Sequence, residues 1–296
     1  MLYNNLSGYF REKYNKRLSK ICIDAGFSCP NRDGKVGFGG CIFCGERGAG
    51  EHIDNTASIT EQVSRALSNG RDTDEYVAYF QNFTNTYAPV DVLRQRYDAA
   101  LIDPRIRVLA VGTRPDCIDR EVASLLSEYA REREVWVELG LQTANDNTAK
   151  LINRGYNREC FSEAMRILSE YGLKACVHLI VGLPGEGMED IKESVRYLST
   201  FDIFGLKIHS LYVMEGTRLS ELYREKRYTP PTLSEYVKAV AYIISHTPKS
   251  VVIHRITGDC PEGMLVAPEW SRNKHSVIEA INAELVALGA SQGSAL

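Results

Sequence analysis

The 296-residue sequence contains no apolar run that approaches the roughly 18 residues needed to span a membrane. Its N-terminal stretch, MLYNNLSGYFREKYNKR, is polar and basic and lacks the apolar core of a secretory signal, so a cytoplasmic, reducing setting is expected. A net charge of −3 withholds the overall positive excess that marks many nucleic-acid-binding proteins. The eight cysteines are not short-spaced throughout, which argues against a disulfide scaffold. What the chain does have is 44% hydrophobic residues, enough to bury a large core as one domain with at most a small appendage.

Apolar runs bounded by turn signals fall at 20–24, 76–83, 108–112, 135–142, 175–181, 206–213 and 251–256 and read as strands. Stretches with apolar residues three and four apart lie between them, at 59–67, 90–101, 120–131, 158–171, 188–198 and 233–244, and read as amphipathic helices. Six or seven such units exceed most small doubly wound sheets and fall short of a closed eightfold barrel, so a partial α/β barrel is expected. Chemistry in such barrels collects where strands end.

Residues 29–44, CPNRDGKVGFGGCIFC, place Cys29, Cys41 and Cys44 in a C-x11-C-x2-C arrangement among Gly34, Gly37, Gly39 and Gly40. A closed zinc site and a Cys-only electron-carrier cluster both take four ligands, so three thiols read either as a cluster with one iron open to a ligand or as a zinc site. Ile42 and Phe43 would shield one side, and the glycines let backbone approach a ligand closely. The expected fourth strand leads into VELGLQTANDNTAKLINRGY, the third ends in GTRPD and the fifth in GLPGE.

These motifs together resemble the radical S-adenosylmethionine (SAM) superfamily, in the branch that holds the elongator catalytic subunit and the YtqA/YhcC (MnmL-type) proteins. The spacing before Cys41 is longer than the superfamily's usual C-x3-C-x2-C. The resemblance runs from the N-terminal YFREKYNKRLSKI to the HRITGDCPEGMLVAPEW segment. It implies a radical SAM (βα)6 partial TIM barrel over 20–215, with short N- and C-terminal extensions: a basic, aromatic segment over 1–19 and a segment over 216–296 packed on the barrel. No acetyltransferase domain follows these segments, so acetyl transfer is not expected.

The same resemblance implies that Cys29, Cys41 and Cys44 hold a [4Fe-4S] cluster whose open iron chelates SAM. Around SAM it implies Gln81 and Asn82 toward the methionine amino group, Thr113 and Glu138 on strands that face the cavity, Gln142 toward ribose hydroxyls, Arg154 toward the carboxylate and Gly182 toward an adenine edge. Simpler readings stand beside several of these. Residues 81–86 can cap the next helix, Arg114 can pair with a neighbouring carboxylate, and Arg154 can be a helix-terminal residue beside a Gly155 cap. Glu138 shares a strand face with Gly140 and Gln142, where a buried carboxylate requires a cation or a ligand.

Arg11, Lys13, Lys16, Arg17 and Lys20 lie within ten residues and are interleaved with Tyr9, Phe10 and Tyr14, a composition suited to phosphates and stacked bases; the alternative is a solvated basic helix. With Tyr14, Arg11, Lys13, Lys16 and Arg17 are the candidate RNA contacts, and Lys20 is a further phosphate partner if tRNA is the substrate. The implied activity is reductive cleavage of SAM to a 5′-deoxyadenosyl radical, with tRNA as substrate, a carboxymethylaminomethyl group at the wobble uridine converted to aminomethyl, and an electron donor such as flavodoxin or ferredoxin. A radical SAM enzyme acting on a peptide or small metabolite and a non-catalytic zinc-bearing RNA-binding module are the rival readings.

Overall fold

The computed structural model describes every residue except 1, 49, 51, 52, 54, 55, 72 and 73. Six parallel strands lie side by side in chain order: β1 (Leu18–Ile23), β2 (Glu75–Phe80), β3 (Ile106–Thr113), β4 (Glu134–Gln142), β5 (Lys174–Val181) and β6 (Gly205–Ser210). The chain then leaves the sheet through β7 (Val213–Met214), returns to its far edge as β8 (Val252–Arg255) beside β6, and ends its strands with β9 (Leu265–Ala267), antiparallel to β7. The seven-stranded sheet curls into a half-barrel, as the unit count led one to expect.

The helices are α1 (Leu6–Tyr14), α2 (Ile59–Ser68), α3 (Val90–Ala100), α4 (Arg120–Tyr129), the short α5 (Asp146–Leu151), α6 (Arg158–Glu170), α7 (Met188–Leu198), α8 (Arg218–Arg224), α9 (Leu233–Ser245) and α10 (Lys274–Ala287). Ser58 with Glu61 and Thr232 with Glu235 start α2 and α9 through reciprocal capping bonds. The expected strand over 76–83 stops at Phe80, after which Phe83 takes a left-handed φ of 60°. The expected strand over 206–213 breaks after Ser210, and its last residues pass to β7. β8 belongs to the main sheet although its residues lie within 216–296, so the sheet continues past position 215. Among the described residues, no helix is long and apolar enough to cross a membrane.

Period-two alternation sorts the two faces of the sheet. Ile21, Ile23, Phe80, Leu109, Val137, Leu139, Val177, Leu179 and Ile208 are buried in the core shared with the outer helices. The opposite face turns inward and changes character along the strands. Near the strands' amino ends it is apolar: Val77, Val108, Trp136 and Val252 pack with Leu6 and Phe10 of α1. Phe10 is 4% exposed and stacks on Trp136 at 5.8 Å. Further along, the inward residues are Lys20, Cys22, Tyr79, Glu138, Cys176, His178, Lys207, His209 and His254.

α1 is therefore a plug, and Glu134, the first residue of β4, holds it. This carboxylate accepts hydrogen bonds from the hydroxyls of Tyr9 and Tyr14 and ion-pairs with Lys13 at 2.7 Å and with Lys174. Burial would raise its pKa, but the bonds from Lys13 and Lys174 outweigh it and hold it down at about 2. Lys13 and Tyr14, expected as RNA contacts, both bond to this anchor. Arg11, Lys16 and Arg17 are exposed.

Candidate active site

The carboxyl ends of the strands carry the cysteine loop. Turns pin its start: Cys29 O accepts from the Arg32 amide at 2.8 Å, and Pro30 O accepts from the Val36 amide at 2.8 Å. Ile42 and Phe43 pack against a third apolar cluster made by Ile152, Ile180, Leu183, Leu211, Val213 and Leu219, so the pair anchors the loop as well as shielding it. The Ile42 backbone also donates to Ile152 O at 3.1 Å and accepts from the Leu219 amide at 2.8 Å.

The thiols of Cys41 and Cys44 share a hydrogen bond that raises the Cys41 pKa and lowers that of Cys44, where Arg32 and Arg114 add positive charge. Arg32 is turned onto the loop, donating to the carbonyls of Cys44, Gly45 and Glu46. All three motif cysteines are partly accessible and unbridged. An electropositive setting of this kind favours the thiolate form that iron requires.

The NRGY segment after β4 turns out to be the frame of this loop. Asn153 donates to Gly40 O at 2.7 Å and Phe38 O at 3.2 Å, and Asn31 donates back to Asn153 O at 2.6 Å. Arg154, expected as a carboxylate ligand, is fully buried: its Nε donates to Tyr156 O at 3.0 Å, and its Nη1 donates to Thr143 O at 2.8 Å and to Leu141 O. It ties the end of β4 to the following turn through Nε and Nη1, while its buried Nη2 has no hydrogen-bond partner and lies 3.5 Å from Asp146 Oδ1. Tyr156 lies between two guanidinium groups, 4.5 Å from Arg154 and 4.7 Å from Arg114, and donates its hydroxyl proton to Gly140 O. Arg114 pairs in bidentate fashion with Asp116 at 2.9 and 2.6 Å, and its remaining arm bonds Arg154 O at 2.9 Å.

Gln142 ends β4 with a left-handed φ of 66°, just past a register break against β5, and its Oε1 is buried without a partner. A strained backbone and an unpaired acceptor at a strand end suit a ligand hydroxyl. The polar loop after β2 presents three further unpaired buried acceptors: Asn82 Oδ1, Thr84 Oγ1 and Asn85 Oδ1. Asn82 otherwise serves structure, donating to Asp24 at 2.6 Å, while the Gln81 amide bonds Ile23 O at 3.3 Å. Thr113 shares its hydroxyl with Thr86 at 2.6 Å. Gly182 is required where it stands: its φ is 98°, and a Cβ would lie 2.7 Å from Pro231. Its carbonyl accepts from Tyr228 at 2.7 Å.

Glu138 sits deeper, 1% exposed, bonded to Lys207 and, at 3.1 Å, to His178. Burial would raise its pKa, and Lys207 and His178 more than reverse the effect, holding it ionised, while its Oε1 is buried without a partner. Lys207 also donates to the Tyr79 hydroxyl at 3.2 Å. The sequence signal for this cluster is alternation, since Lys20, Cys22 and Asp24 interleave with the outward Ile21 and Ile23.

The profile of the Radical SAM superfamily matches residues 29–198, and that of the Radical_SAM C-terminal domain matches residues 203–287. Protein YtqA of Bacillus subtilis (strain 168) is 37% identical over 98% of this chain and 92% of its own length. A tRNA uridine(34) acetyltransferase of Methanocaldococcus infernus is 32% identical over 55% of this chain, which spans only 30% of that enzyme. In fold, an N-terminally truncated archaeal Elp3 from Methanocaldococcus infernus is similar with a TM-score of 0.69 at 20% identity, covering 93% of this chain and 64% of that one.

Proposed function

The chain belongs to the radical SAM superfamily, its cofactors are a [4Fe-4S] cluster and SAM, and we propose that it modifies the wobble uridine of tRNA, converting a carboxymethylaminomethyl side chain to aminomethyl. The observation that carries the substrate is the 32% identity, over 55% of the chain, to an enzyme that acts on tRNA uridine 34. The half-barrel is open along the side between β1 and β8, which suits a macromolecular substrate presenting one side chain to the interior.

The residues fit both cofactors. Cys29, Cys41 and Cys44 would hold the cluster in a loop whose nearby cations, Arg32 and Arg114, favour thiolate. The unpaired acceptors of Gln142, Asn82, Thr84 and Asn85 face the need of a ligand rich in donors, as an ammonium and two ribose hydroxyls are. When bound, the pair supplies reductive cleavage of SAM to methionine and a 5′-deoxyadenosyl radical that abstracts hydrogen from substrate. The protein's own part is to orient substrate and exclude water: Ile42 and Phe43 seal one flank, Gln142 places a hydroxyl, and Tyr156 with Arg154 keeps the strand end rigid. A one-electron donor such as flavodoxin or ferredoxin completes the requirement. Arg11, Lys16 and Arg17 offer exposed charge for tRNA phosphates at the far end of the molecule.

The deciding experiment is mass spectrometry of tRNA nucleosides from a strain lacking the protein. Accumulation of the carboxymethylaminomethyl nucleoside with loss of aminomethyl derivatives is expected. Unchanged nucleosides would reject tRNA and favour a peptide or small-metabolite substrate.

A further inference from the structure

The interior of the half-barrel holds more positive than negative charge. Lys20 of β1, Lys207 of β6 and Arg255 of β8 surround one inward carboxylate, Glu138, which Lys207 and His178 already occupy. Among the described residues, neither Lys20 nor Arg255 has a carboxylate partner, and both are exposed to the solvent of the open barrel. The β6–β8 register shifts between Leu206 and Lys207, and this bulge brings Arg255 opposite Lys207, whose other neighbour in the ladder is His178. Lys20 approaches from the other side of the opening: its Nζ lies 5.5 Å from the Tyr79 ring centroid, while Lys207 Nζ lies 4.4 Å from the same ring.

A chain that gathers unneutralised cations in a concave space is short of an anion. The neighbouring groups agree. Although the Lys20 side chain reaches solvent, the protein packed around it and then the Lys207 charge lower its pKa to about 8. His178 and His209, 5.1 Å apart, are driven toward the neutral form chiefly by burial, against the bond to Glu138 in the case of His178, with Lys207 and Arg255 adding to the effect. Neutral imidazoles still offer N–H donors. A divalent cation is the competing occupant, because ligand atoms of Glu138, Cys176 and His254 lie within 4.8 Å of one another. It would share Glu138 with the Lys207 ammonium and face Lys20 and Arg255, so the field opposes it.

We propose that this interior binds an oxyanion carried by the substrate, with Lys20 and Arg255 as its charge partners. The anion has two possible sources, the carboxylate of a carboxymethylaminomethyl side chain or a phosphate of the RNA backbone. Assigning it to the side chain rests on the wobble-uridine reading; the anion site itself does not.

The test has two arms, both on the cluster-loaded enzyme. In the first, Lys20 is acetylated with limiting acetic anhydride at pH 8 and read by peptide mass spectrometry, with the exposed Lys226 as reference. Acetate or phosphate should slow Lys20 labelling several-fold, and Arg255→Gln should remove that protection. In the second, Lys20→Gln and Arg255→Gln are titrated with tRNA carrying the carboxymethylaminomethyl or the aminomethyl nucleoside, with iron content and thermal unfolding as folding controls. Tenfold weaker binding of the first tRNA alone assigns the site to the side-chain carboxylate. Equal weakening of both assigns it to a backbone phosphate. Protection of Lys20 without tRNA binding by the unaltered enzyme would retain the anion site and reject the tRNA reading. No protection and no change in either titration would overturn the site.

Discussion

The side-chain amide of Asn31 donates to the backbone carbonyl of Asn153 at 2.6 Å, joining the cysteine loop to the turn after β4 across 122 residues of sequence. Gly37 and Gly155 make room for it, since a Cβ on either would approach Asn31 Oδ1 to 2.5 and 3.0 Å. Asn153 returns two bonds to the loop, at Gly40 and Phe38. Asn153→Ala should leave three thiols in place but loosen their frame, at roughly 1 to 3 kcal/mol of local stability. Chelator challenge should then strip iron several times faster than from the unaltered protein. Identical rates would show that the clamp is incidental.

Each of Cys29→Ala, Cys41→Ala and Cys44→Ala should abolish cluster assembly and SAM cleavage, because a three-thiolate site has no ligand to spare. Cys117→Ala and Cys160→Ala should retain full iron content. Anaerobic iron quantification and 5′-deoxyadenosine assays separate the two groups.

Arg154 and Gln142 should fail in different ways. Arg154→Ala removes a buried cation from several carbonyls and should lower unfolding stability by about 3 kcal/mol or more. Gln142→Ala should leave unfolding nearly unchanged and weaken SAM binding by roughly 0.5 to 1.5 kcal/mol. Thermal unfolding with SAM titration reads both, and a stable Arg154→Ala protein with lost SAM affinity would restore the ligand role.

Two buried carboxyls should shape the pH profile of stability with opposite signs. Glu134 has a folded pKa of about 2, below its ordinary 4.5, so its stabilisation is present above about pH 5 and is lost as pH falls toward 2. The gap corresponds to about 3 kcal/mol. Glu186, whose Oε1 accepts from Thr143 at 2.5 Å, is pushed up to about 7 by burial, so its contribution is present below about pH 4.5 and is lost as pH rises to 7. Glu134→Gln should flatten the acid side of a denaturant-midpoint profile, and Glu186→Gln should flatten the neutral side. Profiles parallel to the unaltered protein would show that neither shift exists.

If Arg11, Lys16 and Arg17 meet tRNA phosphates, neutralising all three should weaken binding and reduce its salt dependence by roughly 0.7 to 0.9 log units per lost contact. An unaltered salt slope would reject this surface. Lys13 belongs in a separate variant, because its loss removes a partner of Glu134.

The strands and amphipathic helices were legible because each has a buried face with the right period: Ile21 and Ile23 against Lys20 and Cys22, or Phe161, Ala164, Met165 and Leu168 along α6. The cysteine triad was legible by its spacing. The backbone bonds of Arg154 were hidden, because residue type announces what a guanidinium can bind and says nothing of which nearby carbonyls it already meets. The packing of Tyr9, Phe10 and Lys13 was hidden for a related reason: an aromatic, basic helix suits RNA and suits equally a socket lined by Trp136 and Glu134 that only the folded sheet creates. The Asn31–Asn153 clamp was invisible, since nothing local marks a bond between residues so far apart in the chain.

The α1 plug has a kinetic corollary. With Phe10 against Trp136 filling the narrow end of the half-barrel, that end is a cul-de-sac, and arrivals and departures share the remaining opening. If the substrate is tRNA, its seat across that opening would act as a stopper over whatever small molecules entered before it. Such a turnover would have a queue discipline, last in and first out, with the macromolecule leaving before the interior empties.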